Sequence, residues 1–335
     1  MRLASRVAIR EAGDVGELTL ELIRAARERI RDKVLRTPVL TSEVLDGHTG
    51  ASLFFKAENL QKIGAFKARG ATNAVFSMSD AEAARGVVTH SSGNHAAALA
   101  RAAKLRGIPA YIVMPDNAPK AKQASVARLG GQITFCEPTT AAREAAAEKL
   151  IAETGAQLVH PFNDYRVMAG QGTATLELLE EVPDLDVVMC PVGGGGLLSG
   201  TAVAAKGVRP GIRVIAVEPA GADDAALSFK AGKITPHAGA VNTIADGLRT
   251  VVGTRTFPEI QEHVDDIVTV SEGAIVQAMR ALWESLKVIV EPSAAVPYAA
   301  FVERKVSLAG KRVGIIITGG NLDLDSLPWA NTEVL

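Results

Sequence analysis

Short apolar runs, each long enough for one buried strand, alternate with helical patterns along almost the whole chain, and this rhythm restricts the fold more than any other feature. Runs such as residues 187–192 and 313–317 hold no charged or polar side chain. A strand with one face in water would alternate polar and apolar residues, so a continuous run fits a parallel strand covered by helices on both faces. Repeated strand–helix–strand units then imply right-handed crossovers and an α/β architecture. The spacing predicts strands over 52–57, 86–90, 110–114, 132–137, 157–160, 186–192, 213–218, 266–270 and 312–318. Helices are predicted over 17–34, 94–106, 118–129, 140–153, 197–206, 272–287 and 293–306. The strands between Gly86 and His160 suffice for a small open sheet of their own, and no Gly/Ser-rich linker or repeat sets them apart. The expected organisation is a large discontinuous domain, residues 1–80 and 163–335, with a small domain, 81–162, inserted in it.

Composition narrows the function. Lys+Arg 36 against Asp+Glu 37 leaves a net charge of −1, and no basic stripe is present to neutralise a row of phosphates, so nucleic acid is not an expected partner. No apolar run approaches the roughly 20 residues that span a bilayer, so no membrane partner is expected. Arg2, Arg6 and Arg10 are not followed by an apolar h-region, so a secretory signal is not expected; a transit peptide is the alternative, disfavoured by Glu11 and Asp14 soon after. Cys136 and Cys190 cannot build a disulfide framework and lie in runs that read as buried strands, which fits a reducing, cytoplasmic location.

Glycine clusters mark where chemistry should be sought. The run 186–192 ends in Gly193, Gly194, Gly195 and Gly196 and leads into a small-residue helix beginning at Leu197. Backbone N–H groups can converge there on an anion at the positive end of the helix. The dinucleotide fingerprint would need glycine where Leu198 or Ser199 stands, and no P-loop pattern occurs. With no Lys or Arg in the loop, a small phosphate held by amides fits best, as in a sugar phosphate or pyridoxal phosphate. Lys67, beside Phe66 at the start of a helical pattern, meets the helix dipole and partial desolvation, and both depress an amine's pKa. Lys56 and Lys62 read as solvated strand and loop residues, and His48, His237 and His263 as solvated surface histidines. A third segment, Ser91, Ser92, Gly93, Asn94 and His95, turns a strand into an alanine-rich helix and forms a second anion site, suited to a carboxylate. His95 reads equally well as a capping or core histidine.

Gly-Ala-Phe-Lys67-Ala-Arg-Gly-Ala, Ser91-Ser-Gly-Asn-His95, the four glycines and Thr318-Gly-Gly-Asn321 occur in the order found in fold-type II pyridoxal-phosphate enzymes. Within that group the chain resembles serine racemases, serine/threonine dehydratases and threo-3-hydroxyaspartate dehydratases from about residue 30 to 327. The resemblance implies a tryptophan synthase β-like fold, with two open, twisted, mostly parallel sheets and helices on both faces. It implies that Lys67 bonds the cofactor aldehyde, Phe66 packs beside the ring, and residues 193–196 with Leu197 bind the phosphate. Asn94 would meet the 3′-oxygen and Thr318 the pyridine nitrogen, while the backbone from Ser91 through Ser92, Gly93 and Asn94 to His95 would receive the substrate carboxylate. A hydroxyl at the ring nitrogen makes a weaker electron sink than a carboxylate would, which suits elimination of a β-substituent. Glu218, the Ala222 carbonyl and Asp224 resemble the family's site for Mg, Ca or Mn, all hard cations that take oxygen ligands.

Ala65 and Ala96 depart from residues common in parts of the family, and Ser92 replaces the alanine usual in biosynthetic threonine dehydratases, which favours the racemase-like branch. The chain ends at Leu335, so feedback control by isoleucine through a C-terminal domain is not expected. The expected activity is ammonia-lyase (dehydratase) action on L-serine, L-threonine or threo-3-hydroxyaspartate by a homodimer, with Lys67 and Ser92 as catalytic residues. Serine racemisation through Ser92 is the alternative, and a non-catalytic phosphate-ligand binding protein is a rival of another class. The resemblance also places Arg143 and Thr250 near the substrate pocket, where an arginine would pair with a β-carboxylate.

Overall fold

The computed structural model describes residues 17–91, 93–118 and 120–329; the N-terminal arginines and Ser92 lie outside the described residues. In chain order the elements are α1 (Leu20–Ile30), β1 (Val39–Leu40), α2 (Glu43–Thr49), β2 (Ser52–Ala57), α3 (Lys67–Ser77), α4 (Asp80–Ala83), β3 (Val87–His90), α5 (Asn94–Arg106), β4 (Ala110–Pro115), α6 (Lys120–Arg128), β5 (Gln132–Cys136), α7 (Thr140–Thr154), β6 (Gln157–Leu158), α8 (Tyr165–Glu181), β7 (Val187–Pro191), α9 (Gly196–Val208), β8 (Arg213–Pro219), α10 (Asp224–Ala231), α11 (Thr256–His263), β9 (Asp266–Val270), α12 (Glu272–Leu286), α13 (Pro292–Val302) and β10 (Arg312–Ile317). They form a six-stranded sheet, β1-β2-β10-β7-β8-β9, and a four-stranded sheet, β5-β4-β3-β6. Neighbouring strands are parallel except the short β1, which runs antiparallel to β2.

The continuous apolar runs are explained by the layers they separate. Val187 and Met189 of β7 belong to a core with α12 and α13, while Val188 and Cys190 belong to a second core with α8 and α9. Both faces of the strand are therefore dry, and no position in it tolerates a polar residue cheaply.

Several expectations are corrected. Helix α1 is shorter than 17–34, because the Thr19 side chain accepts from Leu22 N–H and fixes the start. Helix α8 was not anticipated, because Gly170, Gly172, Thr173 and Thr175 are poor helix formers. Close approach explains two of its neighbouring glycines: a Cβ on Gly172 would lie 2.6 Å from Gly200 O, and one on Gly200 2.4 Å from Met168 O, so α8 and α9 touch backbone to backbone. Cys136 is only half-buried, because β5 is an edge strand, whereas Cys190 is fully buried. Lys56, expected in solvent, is fully buried: its Nζ donates to Thr37 O (2.6 Å) and pairs with Glu177 (2.7 Å). His237 is paired with Asp223 at 2.6 Å and His263 faces Glu259 at 3.6 Å, so neither is simply solvated.

Candidate active site

The carboxyl ends of β7 and β10, neighbours in the large sheet, open onto a cleft of about 560 Å³. Its other wall comes from the ends of the small sheet and from α5, α6 and α7. In open α/β sheets such crevices beyond the strand ends are where ligands bind.

Lys67 is the first residue of α3. Its place is fixed by a stitch between distant segments: Phe66 N–H donates to Thr318 O (2.9 Å), and Ala65 bridges Gly319 across an isolated antiparallel pair. The lysine borders the cleft, its ammonium donating to Pro161 O at 2.8 Å and standing 5.1 Å from the Phe66 ring centre. Burial lowers its pKa from 10.5 to about 8. An appreciable fraction is thus free amine near neutrality, the form a nucleophile requires.

The loop after β7 carries residues 193–196. The first hydrogen bond of α9 runs from Ser199 N–H to Gly195 O (2.8 Å), so the amides ahead of Ser199 are not consumed by the helix ladder. Side chains are excluded here. Gly195 has φ +88°, and a Cβ on Gly194 would lie 2.4 Å from the Phe162 ring. Opposite, α5 begins at Asn94, its first turn closed by Ala96 N–H to Gly93 O, so the N–H groups of Asn94 and His95 also precede the ladder. Two helix N-termini therefore border one cleft, each favouring an anion.

The His95 ring is buried; Nε2 donates to Val159 O (3.1 Å) and Nδ1 has no partner among the described residues. Burial, reinforced by Lys67, holds it neutral, with a pKa well below the ordinary value. Its ring is a core element, and only its backbone is available to an anion. His90 and His160 also line the cleft, ring centres 5.4 Å apart and edge to face. His160 Nδ1 accepts from Phe162 N–H and Asn163 N–H (3.3 and 2.9 Å), which leaves its proton on Nε2. Burial, then His90 and Lys67, bring His160 to about 4.

Glu291 is one of the cleft residues that sequence reasoning missed, with His90, His160, Lys122 and Asp246. It is buried at the N-cap of α13, accepts from Asn94 Nδ2 (3.0 Å) and Asn321 N–H (3.1 Å), and borders the cleft. The Glu-Pro-Ser pattern signalled a helix start but carried no sign that the carboxylate would turn inward. Burial, with Asp246 nearby, raises its pKa from 4.5 to about 7. The folded state therefore keeps this proton after the unfolded chain has lost it, so stability falls as pH rises from about 4.5 to about 7. We expect Glu291→Gln to remove this slope. Urea midpoints at pH 5 and pH 8 should show the variant gaining on the wild type by up to about 3 kcal/mol at the higher pH; parallel profiles count against an inward-facing carboxylate.

Arg143 and Thr250 both border the cleft, Arg143 with its Nε on Thr139 O at 3.3 Å. Glu218, Ala222 and Asp224 lie apart from it. Glu218 accepts from Ala225 and Ala226 N–H (3.0 and 2.9 Å) and Asp224 from Val252 N–H (2.9 Å). No Lys or Arg forms an ion pair with either carboxylate among the described residues. Burial, with Asp224 and Asp223 nearby, raises Glu218 to about 9, and burial, with Asp223 nearby, raises Asp224 to about 6.

Residues 30–319 match the family of pyridoxal-phosphate dependent enzymes. The chain belongs to that family. This pyridoxal-phosphate-dependent enzyme is 54% identical over 311 residues to a beta-hydroxyaspartate dehydratase of Paracoccus denitrificans, across 93% of this chain and 98% of the relative. It is 53% identical over 310 residues to a serine racemase of Arabidopsis thaliana, across 91% and 93% of the two chains. The structure of maize serine racemase superposes with a TM-score of 0.90 at 50% identity, covering 92% of this chain and 95% of that one. The fold is the fold-type II architecture of these enzymes.

The cleft fits the family's cofactor. Thr318 Oγ1, just past the end of β10, is buried without a partner among the described residues, an orphaned hydroxyl of the kind a ring nitrogen would satisfy. The amides of residues 193–196 and Leu197 could take the phosphate, and the Lys67 amine the aldehyde.

Proposed function

We propose that this pyridoxal-phosphate-dependent enzyme is an ammonia-lyase that removes the hydroxyl and amine of a small β-hydroxy amino acid, yielding a 2-oxo acid and ammonia. One observation carries the reading: the low-pKa Lys67 amine stands in a cleft between two helix N-termini, with the Thr318 hydroxyl facing the same space. Pyridoxal phosphate, when bound, supplies the aldehyde that captures the substrate amine and a ring that draws electrons from Cα. The N–H groups before α5, from Ser91 to His95, hold the substrate carboxylate, and those before α9 hold the phosphate. Lys67, as a neutral amine, takes the Cα proton. Thr318 offers a hydroxyl rather than a counter-charge to the ring nitrogen, which favours rapid loss of the β-substituent over a long-lived carbanion. Asn94 orients the 3′-oxygen, and Phe66 packs beside the ring.

Glu218, the Ala222 carbonyl and Asp224 form an all-oxygen set suited to Mg, Ca or Mn, whose charge would offset two buried carboxylates. The active form is taken to be a homodimer in the cytoplasm, where Cys136 and Cys190 stay reduced, with residues 81–162 as a small domain inserted in the large one. The test is a keto-acid assay of the holoenzyme on serine, threonine and 3-hydroxyaspartate, with and without chelator. Turnover of none of them overturns the reading.

Identity to serine racemases supports a second outcome. The resemblance gives Ser92, which lies outside the described residues, the role of returning a proton to the face of Cα opposite Lys67, which would yield the other enantiomer. We expect Ser92→Ala to lower D-serine formation from L-serine by about 10²-fold or more, while pyruvate formation falls far less. Unaltered racemisation removes Ser92 from the mechanism.

A further inference from the structure

Lys122 Nζ and Asp246 Oδ2 meet at 2.6 Å, and both side chains border the cleft that holds Lys67. They come from opposite walls. Lys122 is in the first turn of α6, beside the small sheet. Asp246 opens a 3-10 turn, Asp246–Leu248, that is fixed to the large-sheet side: Gly247 N–H donates to Ser293 Oγ (3.1 Å), and a Cβ on Gly193 would lie 2.9 Å from Leu248 Cα. The pair is not sealed in, its side chains being 34% and 44% exposed. An ion pair so open to water is weakly held. Another carboxylate delivered by a bound substrate can replace Asp246 at small cost, because Lys122 exchanges one anion for another and is never left unpaired.

We propose that Lys122 and Asp246 form an exchangeable gate selecting substrates with a carboxylate on Cβ, whose β-carboxylate takes the place of Asp246 on Lys122. The inference rests on the ammonia-lyase reading and adds the substrate's class to it: a 3-hydroxy dicarboxylic amino acid. Arg143, on α7 at the same wall, adds positive charge there. Serine and threonine, with uncharged β-substituents, have nothing to offer Lys122 in exchange for Asp246. Asp246 thereby gives the gate its selectivity, occupying the ammonium until an anion with better-placed oxygens arrives.

The test compares kcat/KM for 3-hydroxyaspartate and for serine in the holoenzyme and two variants. Lys122→Met should lower the ratio of hydroxyaspartate to serine by about tenfold, and Asp246→Asn should raise it by several-fold. Opposite directions distinguish a gate from mere damage to the cleft, which would move both variants the same way. Inhibition by succinate gives a readout free of turnover: Ki should rise in Lys122→Met and fall in Asp246→Asn. Equal shifts in both variants, or none, overturn the gate. Wild-type turnover of serine but not 3-hydroxyaspartate also overturns it and leaves the lyase reading standing, whereas turnover of no amino acid overturns both.

Discussion

Replacing Lys67 with alanine is expected to lower turnover of every substrate by about 10⁴-fold or more, because in the proposed mechanism one side chain supplies both the cofactor attachment and the Cα base. Two histidines of the same cleft make poor substitutes. His95 is buried with its Nε2 committed to Val159 O, and His160 donates only through Nε2 while Nδ1 is engaged by two backbone amides. Both rings are weak bases here because burial depresses them. Borohydride reduction of the wild-type holoenzyme followed by peptide mapping should place the label on Lys67, and the variant should give none at any position. Label on another lysine would remove the basis of the mechanism. The rate at which cofactor-free protein takes up pyridoxal phosphate should also rise with pH and level off above about 8, where the Lys67 amine is largely neutral.

Arg69→Met is expected to cost about 3–5 kcal/mol, the penalty for leaving buried carboxylates without their cation. Arg69 is fully buried and fork-bonded twice: Nε and Nη2 reach Glu58 at 2.7 and 2.8 Å, and Nη1 and Nη2 reach Glu177 at 2.7 Å each. Lys56 and Thr37 complete the cluster. Burial alone would raise the Glu58 carboxyl, but the charge and hydrogen bonds of Arg69 outweigh it and hold it below its ordinary value. With methionine at 69, Lys56 would face two acids unaided. Urea unfolding of the variant checks the cost, and adding Glu58→Gln should recover part of it, since the two changes share one network. A loss below about 1 kcal/mol would mean that water reaches these carboxylates.

How much of this was legible beforehand depended on whether a signal was local. The strands were legible because a run dry on both faces has no polar residue to interrupt it. The helices with strong starts were too, α5 being found at 94–106. Helix α8 was not, because its glycines serve a neighbour distant in sequence and weaken the local pattern. Lys67 and the four glycines could be picked out because each sits at a strand-to-helix turn. Lys56 and Glu291 could not: nothing in Phe-Phe-Lys-Ala or Glu-Pro-Ser says that the charge points inward, since its partners, Glu177 and Asn94, lie more than a hundred residues away in the chain. The Lys122–Asp246 pair was hidden for the same reason.

The stitch joining Phe66 to Thr318 has a consequence for how such a catalyst can diversify. Because the amine and the hydroxyl at position 318 ride on one pinned backbone frame, neither can drift without carrying the other along. The helices across the cleft meet the large-sheet side through side chains, Asn94 on Glu291 and Lys122 on Asp246, so new substrate preferences can be written on that side by side-chain exchange while the reacting centre is inherited whole.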